Sequence, residues 1–366
     1  MSINKVIISG GGTGGHIFPA IAIANQIKIS YPNADILFVG AEGKMEMEKV
    51  PKAGYKIVGL PIRGLQRKLT IKNLSFPFKL ISSLLKAKRI VKEFKPDIAI
   101  GVGGYASAAI VRVAAKKGVP TLVQEQNSYP GITNKWLAKR AKTICVSYDG
   151  LERFFPKEKI VKTGNPVRSE VVNIKGKKEK GLSHFNLTPH KKTVLVIGGS
   201  LGAGTINASF GQDIQNLLDK DLQVIWQCGK YYHANLKPIV KALNSKLVYL
   251  NDFIYEMDLA YAAADYIVSR AGAMSVSELC LVGKPTILVP SPNVSEDHQT
   301  KNAMALVNEN AAILVKDIEA KQKLIDTIIG LDQDLDRQKE LSSEIIKLGI
   351  DNAPERILKE IEKILN

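Results

Sequence analysis

Short apolar runs that stop on glycine and resume with helical spacing recur along this chain, and they predict parallel strands alternating with helices. Val6-Ile7-Ile8 opens the series and breaks into GGGTGGH at Gly10–His16; Ile17–Ala22 then takes up the helical pattern, with the helix expected through Ala20–Ile29. The next strand is expected at Asp35–Val39. Asp97–Val102 ends in Gly103-Gly104-Tyr105 ahead of a helical Ala106–Ala115, and Gly118–Val123 ends in Gln124-Glu125-Gln126-Asn127. Ile144–Val146 and Ile160–Val161 are two further short strands. Thr163–Arg168 and the charged run Lys175–Gly181 read as a linker whose lysines are simply solvated. The scheme then restarts: Val194–Ile197 leads into Gly198–Gly204 and a helix from Ile206, with strands at Gln223–Gln227, Leu247–Leu250, Tyr266–Val268 and Thr286–Val289. The expected class is α/β, with two nucleotide-fold halves.

A strand that ends in a glycine turn and feeds a helix aims backbone N–H groups, and the positive end of the helix dipole, at whatever sits above it. The expected guest is an anion or a closely packed sugar. Gly10, Gly12 and Gly15 also satisfy G-x-G-x-x-G, so an NAD-type Rossmann oxidoreductase is a competing reading. That reading needs an acid after the second strand, where Glu42 is the nearby residue, and it leaves the second glycine loop unexplained. A non-catalytic membrane scaffold would explain the basic charge but not two ligand-lined halves.

Length and composition narrow the choice. At 366 residues the chain exceeds the size at which a single core stops growing, and its 45% hydrophobic content speaks against disorder. No apolar run is long enough to cross a bilayer. The first residues, MSINKVIISG, enter a strand without a signal peptide's separate apolar core, so a cytoplasmic location is expected. Cys145, Cys228 and Cys280 each sit inside an apolar run and read as buried thiols. The formal charge of +16 implies a polyanionic partner: nucleic acid, an anionic membrane face or phosphorylated substrates. Aromatics are only 6% and no nucleic-acid module is present, which turns the expectation away from nucleic acid.

Arg67–Lys92 interleaves Leu74, Phe76, Phe78, Leu80, Ile81, Leu84 and Leu85 with Lys68, Lys72, Lys79, Lys86, Lys88, Arg89 and Lys92. Such a stretch is either a basic amphipathic element on an anionic membrane or an ordinary helix packing inward. Pro77 is expected to interrupt it and leave Phe76 and Phe78 in an exposed turn. In SRAGAMSVSE, Ser269–Glu278, small residues let backbone approach a ligand, with a helix expected to begin near Ser275. Ser275-x-x-Glu278 is formally a capping box, yet a carboxylate there is equally an acceptor for ribose hydroxyls. Asp332, Asp334 and Asp336 resemble metal-binding acid pairs, but the pattern LDQDLDRQ reads as a charged surface helix.

Taken together and in order, GGTGGHIFPA (Gly11–Ala20), VGGY (Val102–Tyr105), QEQN (Gln124–Asn127), NKWLAK (Asn134–Lys139), GNPVR (Gly164–Arg168), GGSLGA (Gly198–Ala203), DFI (Asp252–Ile254) and SRAGAMSVSE resemble the MurG family of peptidoglycan glycosyltransferases. The resemblance implies a GT-B fold, two Rossmann-like domains facing a central cleft. Residues 1–165 would take the acceptor and meet the membrane, 166–351 would bind the UDP-sugar, and a helix at about 352–366 would pack back on the first domain. It implies an inverting, metal-independent transfer of N-acetylglucosamine from UDP-N-acetylglucosamine to the 4-hydroxyl of undecaprenyl-diphosphate-linked muramoyl-pentapeptide, lipid I to lipid II. No cofactor is implied. A UDP-sugar transferase with a different lipid acceptor is the nearest alternative. The place implied is the cytoplasmic face of the bacterial inner membrane, against an anionic surface.

Motif matching would put Thr13, Gly14, Gly15, Asn127, Arg168, Ser200, Ile254, Ala273, Met274, Ser275, Val276, Ser277, Glu278 and Gln299 in the donor site. Ser200 and its loop would hold the diphosphate, Ile254 the uracil, Glu278 the ribose and Gln299 the sugar. Gly103, Gly104 and Tyr105 would lie on the acceptor side. His16 is the expected general base and Glu125 the alternative. Where the best-known members read HEQN, this chain has Gln124, a neutral amide in place of an imidazole.

Overall fold

The computed structural model describes residues 3–62, 76–199 and 201–366 and resolves into two compact units, Met1–Pro166 with Asn352–Asn366, and Val167–Asp351. In the first unit, β1 (Lys5–Gly10), β2 (Asp35–Ala41), β3 (Lys56–Leu60), β4 (Ile98–Gly103), β5 (Thr121–Glu125), β6 (Thr143–Val146) and β7 (Ile160–Lys162) form a parallel sheet in the order β3-β2-β1-β4-β5-β6-β7. Alternation along β1 fixes the layers: Ile7 joins one apolar cluster, while Val6 and Ile8 join the cluster on the other face. Helices cover both faces, as a parallel sheet requires. They are α1 (Gly14–Ser30), α2 (Glu46–Lys52), α3 (Phe76–Phe94), α4 (Tyr105–Lys116) and α5 (Ile132–Ala138). The strand order reverses beside β1, so the turns after β1 and β4 are neighbours at the switch point where such sheets bind ligands.

Pro77 does not interrupt α3; it stands in the first turn, where a missing N–H forfeits no hydrogen bond. The helix packs inward along one face and leaves another exposed. Leu80 and Leu84 pack on the core with buried Ala87, Ile90 and Val91, whereas Phe78, Ile81 and Leu85 are exposed. The part before residue 76 lies outside the described residues.

The second unit begins with α6 (Ser169–Val172) and α7 (Lys178–His184). Its strands β8 (Thr193–Ile197), β9 (Gln223–Gln227), β10 (Val248–Asn251), β11 (Tyr266–Ser269), β12 (Thr286–Leu288) and β13 (Ile313–Leu314) run parallel in the order β10-β9-β8-β11-β12-β13. They are covered by α8 (Gly204–Leu218), α9 (Lys230–Ala242), α10 (Met257–Ala263), α11 (Ala273–Val282), α12 (His298–Val307), α13 (Ala320–Gln333) and α14 (Leu335–Lys347). Here the switch falls beside β8. Trp226, fully buried, donates from Nε1 to Asn207 Oδ1 at 3.0 Å, and Asn207 Nδ2 donates to the Cys228 carbonyl at 2.8 Å.

The expectation of a solvated lysine linker is corrected. Lys177 pairs with Asp258 at 2.7 Å and Lys178 with Asp265 at 2.6 Å, while Gly181 and Leu182 of α7 are buried, so this run is docked on its unit. The last helix, α15 (Ala353–Leu365), belongs to the first unit. Its Ile357, Leu358 and Ile361 enter the cluster that holds Ile17 and Ile23 of α1, and Tyr31 Oη donates to Glu362 Oε1 at 2.7 Å. Among the described residues, no helix is long and apolar enough to cross a membrane.

Candidate active site

In the second unit the turn after β8 is shaped by glycines that other residues would not replace. Gly199 and Gly202 have φ of 81° and 78°, and a Cβ on Gly202 would run into the Cys228 carbonyl oxygen. Gly202 N–H closes the turn on the Gly199 carbonyl at 3.0 Å, and α8 starts two residues later with its orphan amides at the same rim. Ser200 lies outside the described residues. Arg270 Nη1 donates to Asp317 Oδ1 at 2.5 Å and to the carbonyls of Val289 and Pro290, and Thr205 Oγ1 donates to Asp317 Oδ2 at 2.9 Å. Asp317 thereby braces the start of α8 against the turn after β11.

That second turn opens α11. Its N-cap is Gly272, so Ala273, Met274 and Ser275 form the first turn, with Val276 and Ser277 following. The capping-box reading of Ser275 and Glu278 is therefore corrected: Ser275 is already helical, and the Glu278 carboxylate is used elsewhere. It accepts from Tyr261 Oη at 2.9 Å, with the Arg168 guanidinium close enough to act on both groups. Burial pushes the Glu278 carboxyl up from its ordinary value; the Tyr261 hydroxyl and Arg168 oppose that rise. Arg168, Tyr261 and Glu278 thus meet in one place, and Tyr261 was not visible in the sequence.

Ile254 has a buried side chain, and its N–H donates to Gln227 Oε1 at 3.1 Å. A base held through this residue would meet its carbonyl. Gln227 Nε2 donates in turn to the Gly199 carbonyl at 3.1 Å, tying the glycine turn to the Ile254 segment. Gln227 closes β9, and a polar residue ending an apolar strand is the signal that could have found it. Gln299 accepts from Ser291 N–H through Oε1 at 2.9 Å, which leaves its NH₂ group as the donating end.

In the first unit, Thr13 is the N-cap of α1, and Gly14 and Gly15 begin the helix. His16 Nδ1 lies 3.0 Å from the Gly11 carbonyl oxygen. A carbonyl only accepts, so Nδ1 carries the proton; in the uncharged form of such a ring the lone pair lies on Nε2. Gly103 and Gly104, at φ of 116° and 90°, are pressed against this assembly. A Cβ on Gly103 would lie 2.6 Å from His16 Cδ2, and one on Gly104 would lie 2.6 Å from the Gly11 carbonyl oxygen. Tyr105, which follows, is exposed.

Gln124 and Glu125 are the last residues of β5 rather than a loop beyond it. Glu125 is 1% exposed and accepts four hydrogen bonds: from Asn127 N–H and Nδ2, from Gly131 N–H and from Asn134 Nδ2. A carboxylate with both oxygens so engaged holds its turn. Gln124, fully buried, donates to Asn165 Oδ1 at 3.0 Å and touches Gln126 Nε2, so this position works as an amide link.

Asp332 accepts from Lys192 Nζ at 2.8 Å and Tyr266 Oη at 2.9 Å, and Asp334 caps α14 through the Arg337 amide. These acids sit at the junction of α13 and α14, not on one surface helix. Among the described residues, no group of three His, Cys, Asp or Glu side chains could hold a metal ion. The three cysteines are free and buried; desolvation raises all three thiols, Cys228 to about 11 and Cys280 to about 12.

Residues 6–146 match the model of the glycosyltransferase family 28 N-terminal domain, and residues 193–357 that of the family's C-terminal domain. A protein of Parabacteroides distasonis named UDP-N-acetylglucosamine–N-acetylmuramyl-(pentapeptide) pyrophosphoryl-undecaprenol N-acetylglucosamine transferase is 54% identical over 362 residues, covering 99% of this chain and 98% of its own. A protein of the same name from Flavobacterium psychrophilum is also 54% identical, over 99% and 98% of the two chains. Among solved structures, the MurG of Acinetobacter baumannii superposes with a TM-score of 0.79 at 26% identity, over 98% of this chain and 99% of that one.

Proposed function

The chain belongs to glycosyltransferase family 28, and from that membership we propose that it moves N-acetylglucosamine from its UDP donor to the 4-hydroxyl of lipid-linked N-acetylmuramoyl-pentapeptide in peptidoglycan synthesis. The observation that carries the reading within the molecule is the meeting of Arg168 and Tyr261 with Glu278 on α11. Residues expected to bind the donor are there joined by a tyrosine that orients the carboxylate.

An α-linked donor giving a β-linked product requires one in-line displacement, with an oxocarbenium-like sugar and charge growing on the departing diphosphate. The acceptor hydroxyl forms the new bond to the sugar's anomeric carbon as the bond to the diphosphate breaks, and its proton passes to His16 Nε2. Amides of Gly198–Gly204, the start of α8 and the Arg168 guanidinium stabilise the leaving UDP. Glu278 accepts from ribose hydroxyls, Gln299 donates to the sugar, and the Ile254 carbonyl meets the uracil. In the first unit Thr13, Gly14, Gly15 and Asn127 complete the donor contacts, and Gly103, Gly104 and Tyr105 serve the acceptor.

The exposed apolar row Phe78, Ile81 and Leu85, with Lys79, Lys88 and Lys92 on the same helix, supports peripheral attachment to an anionic membrane; the relatives' lipid-linked acceptor is what suggests its cytoplasmic face. The test is transfer of radiolabelled N-acetylglucosamine from UDP to a lipid-linked muramoyl-pentapeptide analogue with a chelator present. Labelled lipid product is expected. Donor binding without transfer would refute the acceptor or the metal independence, and absence of donor binding would refute the whole reading.

A further inference from the structure

Both ends of the Gly11–Gly12 peptide are held by side chains. Its N–H donates to Glu46 Oε2 at 2.9 Å, and its C=O accepts from His16 Nδ1 at 3.0 Å. Glu46 is 1% exposed, and its other oxygen accepts from the Ala41 amide at 3.0 Å. Two glycines make room for it: a Cβ on Gly11 would run into Glu46 Oε1, and one on Gly40 would lie 2.6 Å from Glu46 Cγ. We propose that Glu46 is a positioning residue for His16, acting through the Gly11–Gly12 peptide; this rests on the reading of His16 as the general base.

An amide whose N–H is held by a carboxylate is polarised, and its carbonyl becomes a stronger acceptor. The Gly11 carbonyl then holds the proton on Nδ1 more firmly, which keeps the lone pair on Nε2 and stabilises the imidazolium formed when the acceptor hydroxyl gives up its proton. The arrangement follows the logic of a carboxylate orienting a catalytic imidazole, with one peptide inserted between them. The β4–α4 turn against the ring offers Gly103, Gly104 and the phenol of Tyr105, and α1 carries no charged side chain before Lys28. Glu42 and Lys44, between β2 and α2, are exposed, with Glu42 paired to Lys86 at 3.0 Å. Glu362 of α15 bonds Tyr31 beyond the far end of α1.

The experiment uses the full chain with ¹³C,¹⁵N-labelled histidine. In the native protein His16 should be mainly the Nδ1–H tautomer. In Glu46→Gln its titration should move toward acid, and turnover should fall about tenfold, the scale on which outer partners of a working imidazole act, with donor KM little changed. In a His16→Ala background, Glu46→Gln should change turnover no further. A native Nε2–H tautomer, an unmoved titration, or an equal loss in the His16→Ala background would overturn the proposal. Should Glu46→Gln not fold, the native tautomer alone decides. If His16→Ala keeps full turnover, the base assignment fails, and the coupling is still judged from the tautomer and titration.

Discussion

At the carboxyl end of β1 the glycine turn already holds an anion of the protein itself: Glu46 sits on the Gly12 amide and leaves no need for an outside charge there. The turn after β8 carries the same signature, yet its Gly199 carbonyl meets neutral groups, accepting from Gly202 N–H and from Gln227 Nε2. One turn uses its glycines to admit a buried carboxylate and to seat a histidine. In the proposed reading the other holds the donor's diphosphate, while Gly14 and Gly15 beyond the first turn still meet the donor. Glycine-rich strand-to-helix turns therefore say where a site is, and the side chains already packed into them say what it can take.

The largest effect should come from the first turn's histidine. His16→Ala is expected to lower turnover about 10²–10⁴-fold with donor binding retained, by steady-state kinetics on the lipid-linked acceptor. Turnover within a few-fold of wild type would remove the contrast between a proton-handling turn and an anion-holding one.

On the donor side, Glu278→Ala should raise donor KM about 10- to 100-fold, the ~1.5–3 kcal/mol of a hydrogen bond to a charged group. The pH dependence follows from burial, which raises the Glu278 carboxyl. The folded protein holds this proton more tightly than the unfolded chain, so the group favours folding at acid pH and loses that contribution as pH rises through its folded value. Ribose hydroxyls donate to the ionised form, so donor KM should climb on acidification from a pH above the ordinary carboxylate range. In Glu278→Gln that dependence should vanish; an unchanged pH profile in the variant would remove Glu278 from ribose recognition.

Stability separates the turns further. Gly202→Ala combines a left-handed φ with a clash on the Cys228 carbonyl, and about 1–3 kcal/mol of overpacking is expected on top of the backbone term. Gly12→Ala meets open space and should lose only the ~1–2 kcal/mol of a left-handed residue. Thermal unfolding of both variants reads the difference, and equal shifts in Tm would contradict it. The smallest effect is expected at the thiols, where burial and raised pKa make Cys145, Cys228 and Cys280 slow to alkylate until the chain is denatured. Rapid labelling of the native protein would show that they are not core residues.

The two central strands, β1 and β8, were legible because a buried parallel strand is a continuous apolar run, and so were the turns that end them. What the pattern missed lies at the margins. Neither β3 nor β13 was anticipated; both are edge strands with partly buried residues and no glycine turn to mark their end. With β3 went α2 and Glu46, one of two acids in EMEKVPK, whose burial depends on the glycines at 11 and 40 rather than on its own neighbours. Glu278 shows the opposite case. Its spacing from Ser275 satisfied a capping box, and only the start of α11 at Ala273, together with Tyr261 arriving from α10, decides against it. Lys177 and Lys178 looked solvated because their partners, Asp258 and Asp265, lie more than eighty residues away. Motif order points to the expected donor-site residues; the tertiary partners that orient them could not be read from spacing.

The division of labour between the turns is tested most directly by a crystal structure of the chain with UDP-N-acetylglucosamine bound. The account predicts diphosphate oxygens on the amides of Gly198–Gly204, with Glu46 still on the Gly12 amide and His16 Nδ1 still on the Gly11 carbonyl. A diphosphate seated on the Gly12 amide, with the Glu46 carboxylate displaced, would contradict it.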